Sequence, residues 1–163
     1  MLQNSVSDKI LFVSEEEWIR LKQNNTTQKI IVENIKNTDD ILHAFIYQTD
    51  CGYMNDNWNS LDEVLVDCDW MDKDVVMILN HDLSFIESGS LDIYLSVLVS
   101  AVEKQRIGPV QYQILPQRKI DFYVVFLDQK NELTRWIKQR ITEHTKIESE
   151  FLRKLSSEST LLK

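Results

Sequence analysis

The stretch that decides the fold is Asp74-Val75-Val76-Met77-Ile78-Leu79, an apolar run led by one carboxylate. An uninterrupted apolar run of this length is typical of a central parallel strand that is covered on both faces. The polar segment Asn80-His81-Asp82-Leu83-Ser84 follows directly and predicts a loop. In α/β proteins, functional groups lie in loops of this kind, at the carboxyl ends of the strands.

The remaining strands and helices are predicted from apolar periodicity on either side of this run. Further strands are predicted at 8–14, 29–32 and 120–127, with a candidate edge strand from Val110 to Leu115. Helices are predicted at 15–21, 38–46, 60–68, 91–102 and from about Asn131 to Leu155. Gly108-Pro109 is expected to end the fourth of them. The order β-α-β-α-α-β-α-β-α predicts an α/β fold in a single domain over 1–163, with a small, mainly parallel sheet covered by helices.

Polar residues ahead of the apolar stripes predict where the helices begin. Ser14 is expected to cap the first helix, and Glu17, three residues later, completes a capping box. Thr38-Asp39-Asp40 is expected to cap the second helix, and Asn59 or Ser60 the third. Asp82 is interpreted more simply as a helix N-cap than as a catalytic acid.

Residues 50–74 hold most of the negative charge of the chain. They contain eight carboxylates and a single lysine, a net −7 out of −8 for all 163 residues. Aromatic and amide side chains are mixed with these carboxylates, which is unusual for a face that is merely solvated. Since a concentrated acidic surface attracts cationic partners, this segment is the candidate working surface.

The apolar stripe of the third helix determines which of its acids face outward. Leu61, Val64, Leu65 and Cys68 follow helical spacing and form the inner face. Asp62, Glu63 and Val66 must then lie on other faces. In the preceding loop, Tyr53 has the character of an interface anchor, whereas Trp58 is expected to wedge the loop onto the core.

The overall composition excludes several classes of protein. A pI near 4.9 argues against nucleic-acid binding as the main activity. The longest apolar run near the start, Ile10-Leu11-Phe12-Val13, is too short for a signal peptide or a membrane span. Cys51 and Cys68 have no zinc or redox spacing, so free thiols and a cytoplasmic location are expected.

The segment Tyr53-Met54-Asn55-Asp56-Asn57-Trp58-Asn59-Ser60-Leu61-Asp62-Glu63 resembles a segment of the barstar family, which inhibits a secreted bacterial ribonuclease. The family pattern joins a loop aromatic, an Asn-(Trp or Leu)-(Asp or Asn) centre and a helix carboxylate. The order of elements over a core of about 29–127 is also similar. The extensions 1–28 and 128–163 and an insertion at about 105–118 are additional to the family pattern.

The resemblance implies a stoichiometric inhibitor, an immunity protein without catalysis, cofactor or metal. By position it places the helix carboxylate on Glu63, a polar contact on Asn59, the loop aromatic on Tyr53 and a further acidic contact on Glu103. Together with the outward-facing positions, the expected partner-binding residues are Tyr53, Asn55, Asp56, Asn59, Asp62, Glu63, Val66 and Glu103. The expected partner is a basic ribonuclease toxin in a bacterial cytoplasm, not a nucleic acid or a membrane.

Other functions stay open at this point. The same surface fits another basic toxin, such as a DNase. A small hydrolase that uses His81 and Asp82 is a further alternative, although no nucleophile motif or phosphate-binding glycine loop accompanies them. Residues 67–78 superficially resemble a calcium loop, but Asp72 replaces the turn glycine and Ile78 the bidentate glutamate, so no metal is expected.

Overall fold

A computed structural model describes residues 8–52, 54–67, 69–108, 116 and 118–161 of the chain. The described residues form four strands and five helices, in the order that the sequence predicts. Their bounds are β1 Ile10–Val13, α1 Glu15–Gln23, β2 Gln28–Val32, α2 Thr38–Thr49, α3 Trp58–Val66, β3 Val75–Asn80, α4 Ser88–Ile107, β4 Asp121–Leu127 and α5 Glu132–Leu161. The candidate edge strand at 110–115 lies outside the described residues.

The strands make one sheet in the order β1-β4-β3-β2, and every neighbouring pair is parallel. The apolar run that predicts β3 lies inside this sheet, where Ile78 pairs with Ile30 of β2 and Val124 of β4. Parallel neighbours need long crossover connections, and the helices between the strands supply them. The predicted α/β fold, its parallel sheet and its long C-terminal helix are therefore confirmed.

Alternate residues of each strand supply two cores on opposite faces of the sheet. Val76 and Ile78 face the larger core, which also holds the apolar stripes of α2, α3, α4 and α5. Leu79 faces the smaller core, where it packs with Trp18 of α1 and Val125 of β4. Helix α1 thus covers the second face of the sheet, while the four other helices share the first.

The outer edge of β2 is blocked by a side chain. The Gln48 amide on α2 accepts a hydrogen bond from Ile31 N at 2.8 Å and donates one to Ile31 O at 2.7 Å. Both bonds satisfy backbone groups that an edge strand leaves open, and open edges are templates for unwanted strand pairing. Gln48 therefore fixes α2 to the sheet and protects the β2 edge.

The helix caps differ from the sequence prediction in two of three cases. For α1, α2 and α3 the capping side chains are Ser14, Asn37 and Asn57, which accept hydrogen bonds from the third residue beyond each of them at 3.2, 3.0 and 2.8 Å. The Ser14 cap is confirmed, but the predictions of Thr38-Asp39-Asp40 and of Asn59 or Ser60 are wrong. In each case an asparagine just upstream has the extended backbone that a cap requires.

The expected cap at Asp82 is also wrong. The Asp82 carboxylate accepts a hydrogen bond from Ser84 N at 2.9 Å in a local turn, and α4 begins only at Ser88, so Asp82 does not cap it. Helix α4 continues beyond its apolar stripe through Glu103 to Ile107 and ends at Gly108, as the sequence predicts. Glu, Lys, Gln and Arg are good helix formers, so this polar end prolongs the helix without prolonging its apolar stripe.

Helix α5 lies along α4 in the same direction and is fastened to it by polar contacts. The Asp92 carboxylate on α4 receives Arg140 Nε at 2.8 Å and lies 2.9 Å from His144 Nε2 on α5. Further along, Ser149 Oγ donates to Glu103 Oε1 at 2.8 Å. These contacts fix the register of the two helices.

Replacing Asp92 with Asn is expected to lower the free energy of unfolding at neutral pH but not in acid. The hydrogen bond from Arg140, opposed by partial burial and aided by His144, lowers the pKa of Asp92 from its ordinary value of 3.8. A lowered pKa adds stability that is complete above the ordinary value and is lost as the pH falls below it. Because the Asp92 side chain is 34% exposed, solvent screening limits the expected loss to about 0.5–1 kcal/mol.

Urea unfolding of wild type and Asp92→Asn at pH 7 and pH 3 measures this contribution. The matched control is Asp72→Asn, an exposed carboxylate for which the described residues supply no ion pair. An equal difference between wild type and Asp92→Asn at both pH values would contradict the proposed electrostatic role.

Candidate functional site

Helix α3 and the loop before it form an exposed unit in the described part of the acidic segment. Leu61, Val64 and Leu65 are completely buried, which confirms the predicted inner face of α3. Cys68, the fourth residue of the predicted stripe, lies outside the described residues. With its apolar stripe turned to the core, α3 presents its polar face to solvent.

The structure divides the predicted partner-binding residues by exposure. Asn55, Asp56, Asn59 and Glu63 are exposed. Asp62 and Val66 are half-buried, so the predicted outward turn of Asp62 is only partly realised. Tyr53 lies outside the described residues, and Glu103 is buried. We call the four exposed residues, Asn55, Asp56, Asn59 and Glu63, the acidic loop-helix surface.

The carboxylates of the acidic loop-helix surface form no ion pair in the described part of the chain. No ion pair within that part involves Asp56 or Glu63, whereas Asp62 lies 3.8 Å from Lys104 Nζ. Many acids elsewhere are paired, including Glu33 with Lys22 at 2.8 Å. The surface therefore carries charge that the chain itself leaves uncompensated.

Glu103 does not belong to this surface. It is 6% exposed and lies between α4 and α5, where it accepts the hydrogen bond from Ser149 and faces Arg106 Nε at 3.1 Å. The resemblance places a partner contact here, but α5 covers the position. Burial of a charged carboxylate is tolerated when the charge is paired. For Glu103 the Ser149 hydroxyl and the Arg106 guanidinium are the two partners.

Glu148 on α5 is an acidic residue that sequence reasoning missed. It is half-buried, and burial raises its pKa, an effect that Lys104 opposes and that the Asp62 and Glu103 carboxylates strengthen. The charged groups of α3, α4 and α5 thus meet around Lys104. Only the packing of α5 on α4 brings Glu148 there, so no local pattern in the sequence could have revealed it.

The described part of the acidic turn, residues 67 and 69–74, is anchored to the rest of the chain. Trp70 and Met71 are buried, and the Trp70 indole donates to Val64 O at 2.7 Å. The Gln28 amide donates to Trp70 O at 2.8 Å and accepts from Asp72 N at 2.7 Å. The backbone of the turn is therefore anchored beside the end of α3.

His81 and Asp82, the residues of the hydrolase alternative, have separate partners. His81 Nε2 lies 3.0 Å from a Glu15 oxygen, and its ring meets the Trp18 ring edge-on with centroids 4.7 Å apart. Burial raises the pKa of Asp82, but hydrogen bonds from Ser84 and Gln129 and the nearby imidazole outweigh it and lower the pKa below the ordinary value. His81 thus connects the loop after β3 to helix α1, while Asp82 bonds within that loop and to Gln129.

The described residues were compared with the requirements of a metal site, a disulfide and a membrane span. Among them, no group of three or more His, Cys, Asp or Glu side chains is placed to hold a metal ion. Cys51 is a free, half-buried thiol. Within the same residues, no helix is both long and apolar enough to cross a membrane.

The acidic loop-helix surface combines exposure, an ordered backbone and carboxylates that form no ion pair within the described residues. The side chains that bear it come from one short helix and from the loop that the helix cap orders. Comparisons with protein families, with curated proteins and with solved structures gave no match to this chain.

Proposed function

We propose that this chain is a barstar-like immunity protein, which binds a cognate ribonuclease toxin and blocks its cationic active site with the acidic loop-helix surface. One observation carries the proposal. Helix α3 presents Asn59 and Glu63 one turn apart on its exposed side, with Asp56 just before its cap, and neither carboxylate forms an ion pair within the described residues.

The chemistry of ribonucleases supports this partner. An enzyme that binds RNA phosphates needs cationic and hydrogen-bonding groups in its active site. A carboxylate on a rigid helix can compete for those groups, and opposite charges speed the encounter of the two proteins. Close charge pairs that become desolvated in such an interface contribute about 1.5–7 kcal/mol of coupling energy.

The arrangement of the elements is consistent with the resemblance. From β2 onward the chain runs strand, helix, acidic helix, strand, helix, strand, in the order in which the sequence resembles the barstar family. The strand β1 and helix α1 precede this core, and the long α5 follows it. In this proposal the inhibitor acts stoichiometrically in the cytoplasm of a bacterial cell, without cofactor or catalysis.

The burial of Glu103 restricts the proposed interface. Because α5 covers Glu103, the contact must rest on the loop and on α3. Val66 and Asp62 lie at the inner margin of this region, and Tyr53 belongs to its loop by sequence. No specific observation favours the hydrolase alternative, since His81 contacts Glu15 and Trp18 rather than a nucleophile.

Co-expression with the product of a neighbouring toxin gene tests the proposal. We expect the chain to form a complex with that protein, to restore growth of the host, and to abolish hydrolysis of RNA by the purified toxin. A complex with a toxin that degrades DNA but not RNA would assign the same surface to a DNase. Growth arrest and full RNA hydrolysis in the presence of excess chain would contradict both assignments.

A further inference from the structure

Ser60 is a buried polar residue at the start of α3 that joins the helix to the loop before it. It is 9% exposed, and its Oγ accepts a hydrogen bond from Asn55 N at 2.8 Å. Its own backbone N donates to Asn57 Oδ1 at 2.8 Å. One residue therefore bonds to both sides of Asp56, the loop carboxylate of the proposed surface.

The ends of the same loop are held by packing. Met54 is buried and its N donates to Cys51 O at 3.1 Å. Trp58 packs against Tyr94 of α4, with ring centroids 5.9 Å apart. Between these two anchors, the chain at Asn55 and Asp56 is exposed. The Ser60 hydroxyl thus supplies the side-chain bond that holds this exposed stretch to the helix.

We propose that Ser60 is a positioning residue of the partner-binding surface, whose hydroxyl holds Asn55 and Asp56 at a fixed distance from Asn59 and Glu63. This inference rests on the proposed function. Carboxylates on two elements match a rigid cationic site only if the elements keep their relative geometry, and an interface already ordered in the free protein avoids the cost of ordering on binding. Ser60 itself touches no partner, since its side chain faces inward.

The association and dissociation rates distinguish a positioning residue from a residue that contacts the partner directly. Removal of the hydroxyl leaves the net charge unchanged, so electrostatic steering and the association rate are expected to stay the same. Loss of the preorganised geometry is expected to shorten the lifetime of the complex, which means a faster dissociation rate. We therefore expect Ser60→Ala to raise the dissociation rate roughly tenfold, which corresponds to about 1.4 kcal/mol, with little change in the association rate.

The test compares Ser60→Ala with Ser60→Thr, which keeps a hydroxyl, and with Ser100→Ala, which removes a serine hydroxyl of equal exposure, 9%, from α4. Amide hydrogen exchange of Asn55 in the free protein reports the loop bond. Surface plasmon resonance against the ribonuclease of the neighbouring gene reports the two rates. The inference predicts faster exchange and faster dissociation in Ser60→Ala alone, with both restored in Ser60→Thr.

A wrong proposed function and a wrong role for Ser60 would give different results. If wild type does not bind the ribonuclease, the proposed function is wrong, and the role of Ser60 in binding falls with it. If wild type binds but Ser60→Ala dissociates at the wild-type rate, the positioning role is wrong while the proposed function stands. An unchanged Asn55 exchange rate in Ser60→Ala would also overturn the positioning role, whatever the binding result.

Discussion

Glu63→Gln is expected to weaken binding of the cognate ribonuclease by about 2–5 kcal/mol, the usual cost of removing one partner from a buried, hydrogen-bonded charge pair. Glu63 is exposed on α3, and no ion pair within the described residues engages its carboxylate. Since the carboxylate makes no internal ion pair there, the free energy of unfolding is expected to change by less than about 0.5 kcal/mol. Isothermal titration calorimetry and urea unfolding measure the two quantities.

The control for Glu63→Gln is Glu150→Gln, an exposed carboxylate on α5 that changes the net charge by the same amount. A small loss of affinity shared by both variants would reflect long-range charge alone. The proposed interface requires the large loss to occur in Glu63→Gln only. Equal affinities of wild type and Glu63→Gln would remove Glu63 from the interface.

Asn80→Ala is expected to lower the free energy of unfolding by about 2–6 kcal/mol, because it leaves two buried polar groups without partners at about 1–3 kcal/mol each. Asn80 ends β3 and is 0% exposed. Its side chain donates to Val125 O at 3.1 Å and accepts from the Tyr94 hydroxyl at 2.5 Å. Burial raises the pKa of Tyr94 well above its ordinary value, so the hydroxyl stays protonated and remains a donor.

Tyr94→Phe is the matched variant, because it removes only the hydroxyl and leaves the ring against Trp58. A double-mutant cycle of Asn80→Ala and Tyr94→Phe, followed by urea unfolding, isolates the energy of their bond. We expect the double variant to be more stable than the sum of the single losses predicts. Strict additivity of the two losses would show that the bond contributes nothing.

The sequence predicted the order of elements well because each core element carries a clear apolar period. The run at 75–79 predicted β3, and the stripe of Leu61, Val64 and Leu65 predicted the inner face of α3. Both signals are local, since a buried strand or helix face needs apolar residues at fixed spacing whatever lies opposite. The parallel sheet then followed from the alternation of strands and helices.

The helix ends were harder to predict because several polar residues compete for each cap. Asn37 and Asn57 precede other candidates, and the choice depends on which residue takes the extended backbone. Asp82 has a capping side chain too, but it forms a turn with Ser84 instead. Local composition does not distinguish these outcomes, since each uses the same hydrogen bond to a nearby backbone N–H.

The burial and surroundings of Glu103 and Glu148 depend on contacts between distant parts of the chain. Glu103 follows the pattern of an exposed residue near a helix end, yet Ser149 of α5 covers it. Glu148 lies in an ordinary polar stretch, yet the packing of α5 places it near Lys104. The register of α5 on α4, set in part by Asp92 and Arg140, decides both positions, and the local sequence carries no signal for it.

The central claim is that the acidic loop-helix surface blocks a ribonuclease by occupying its active site, and a titration of ribonuclease activity with this chain tests it most directly. The proposal predicts that activity falls linearly and reaches zero at equimolar chain, and that Glu63→Gln leaves activity at the same ratio. Activity that persists at a large excess of the wild-type chain would contradict it, as would equal inhibition by wild type and Glu63→Gln.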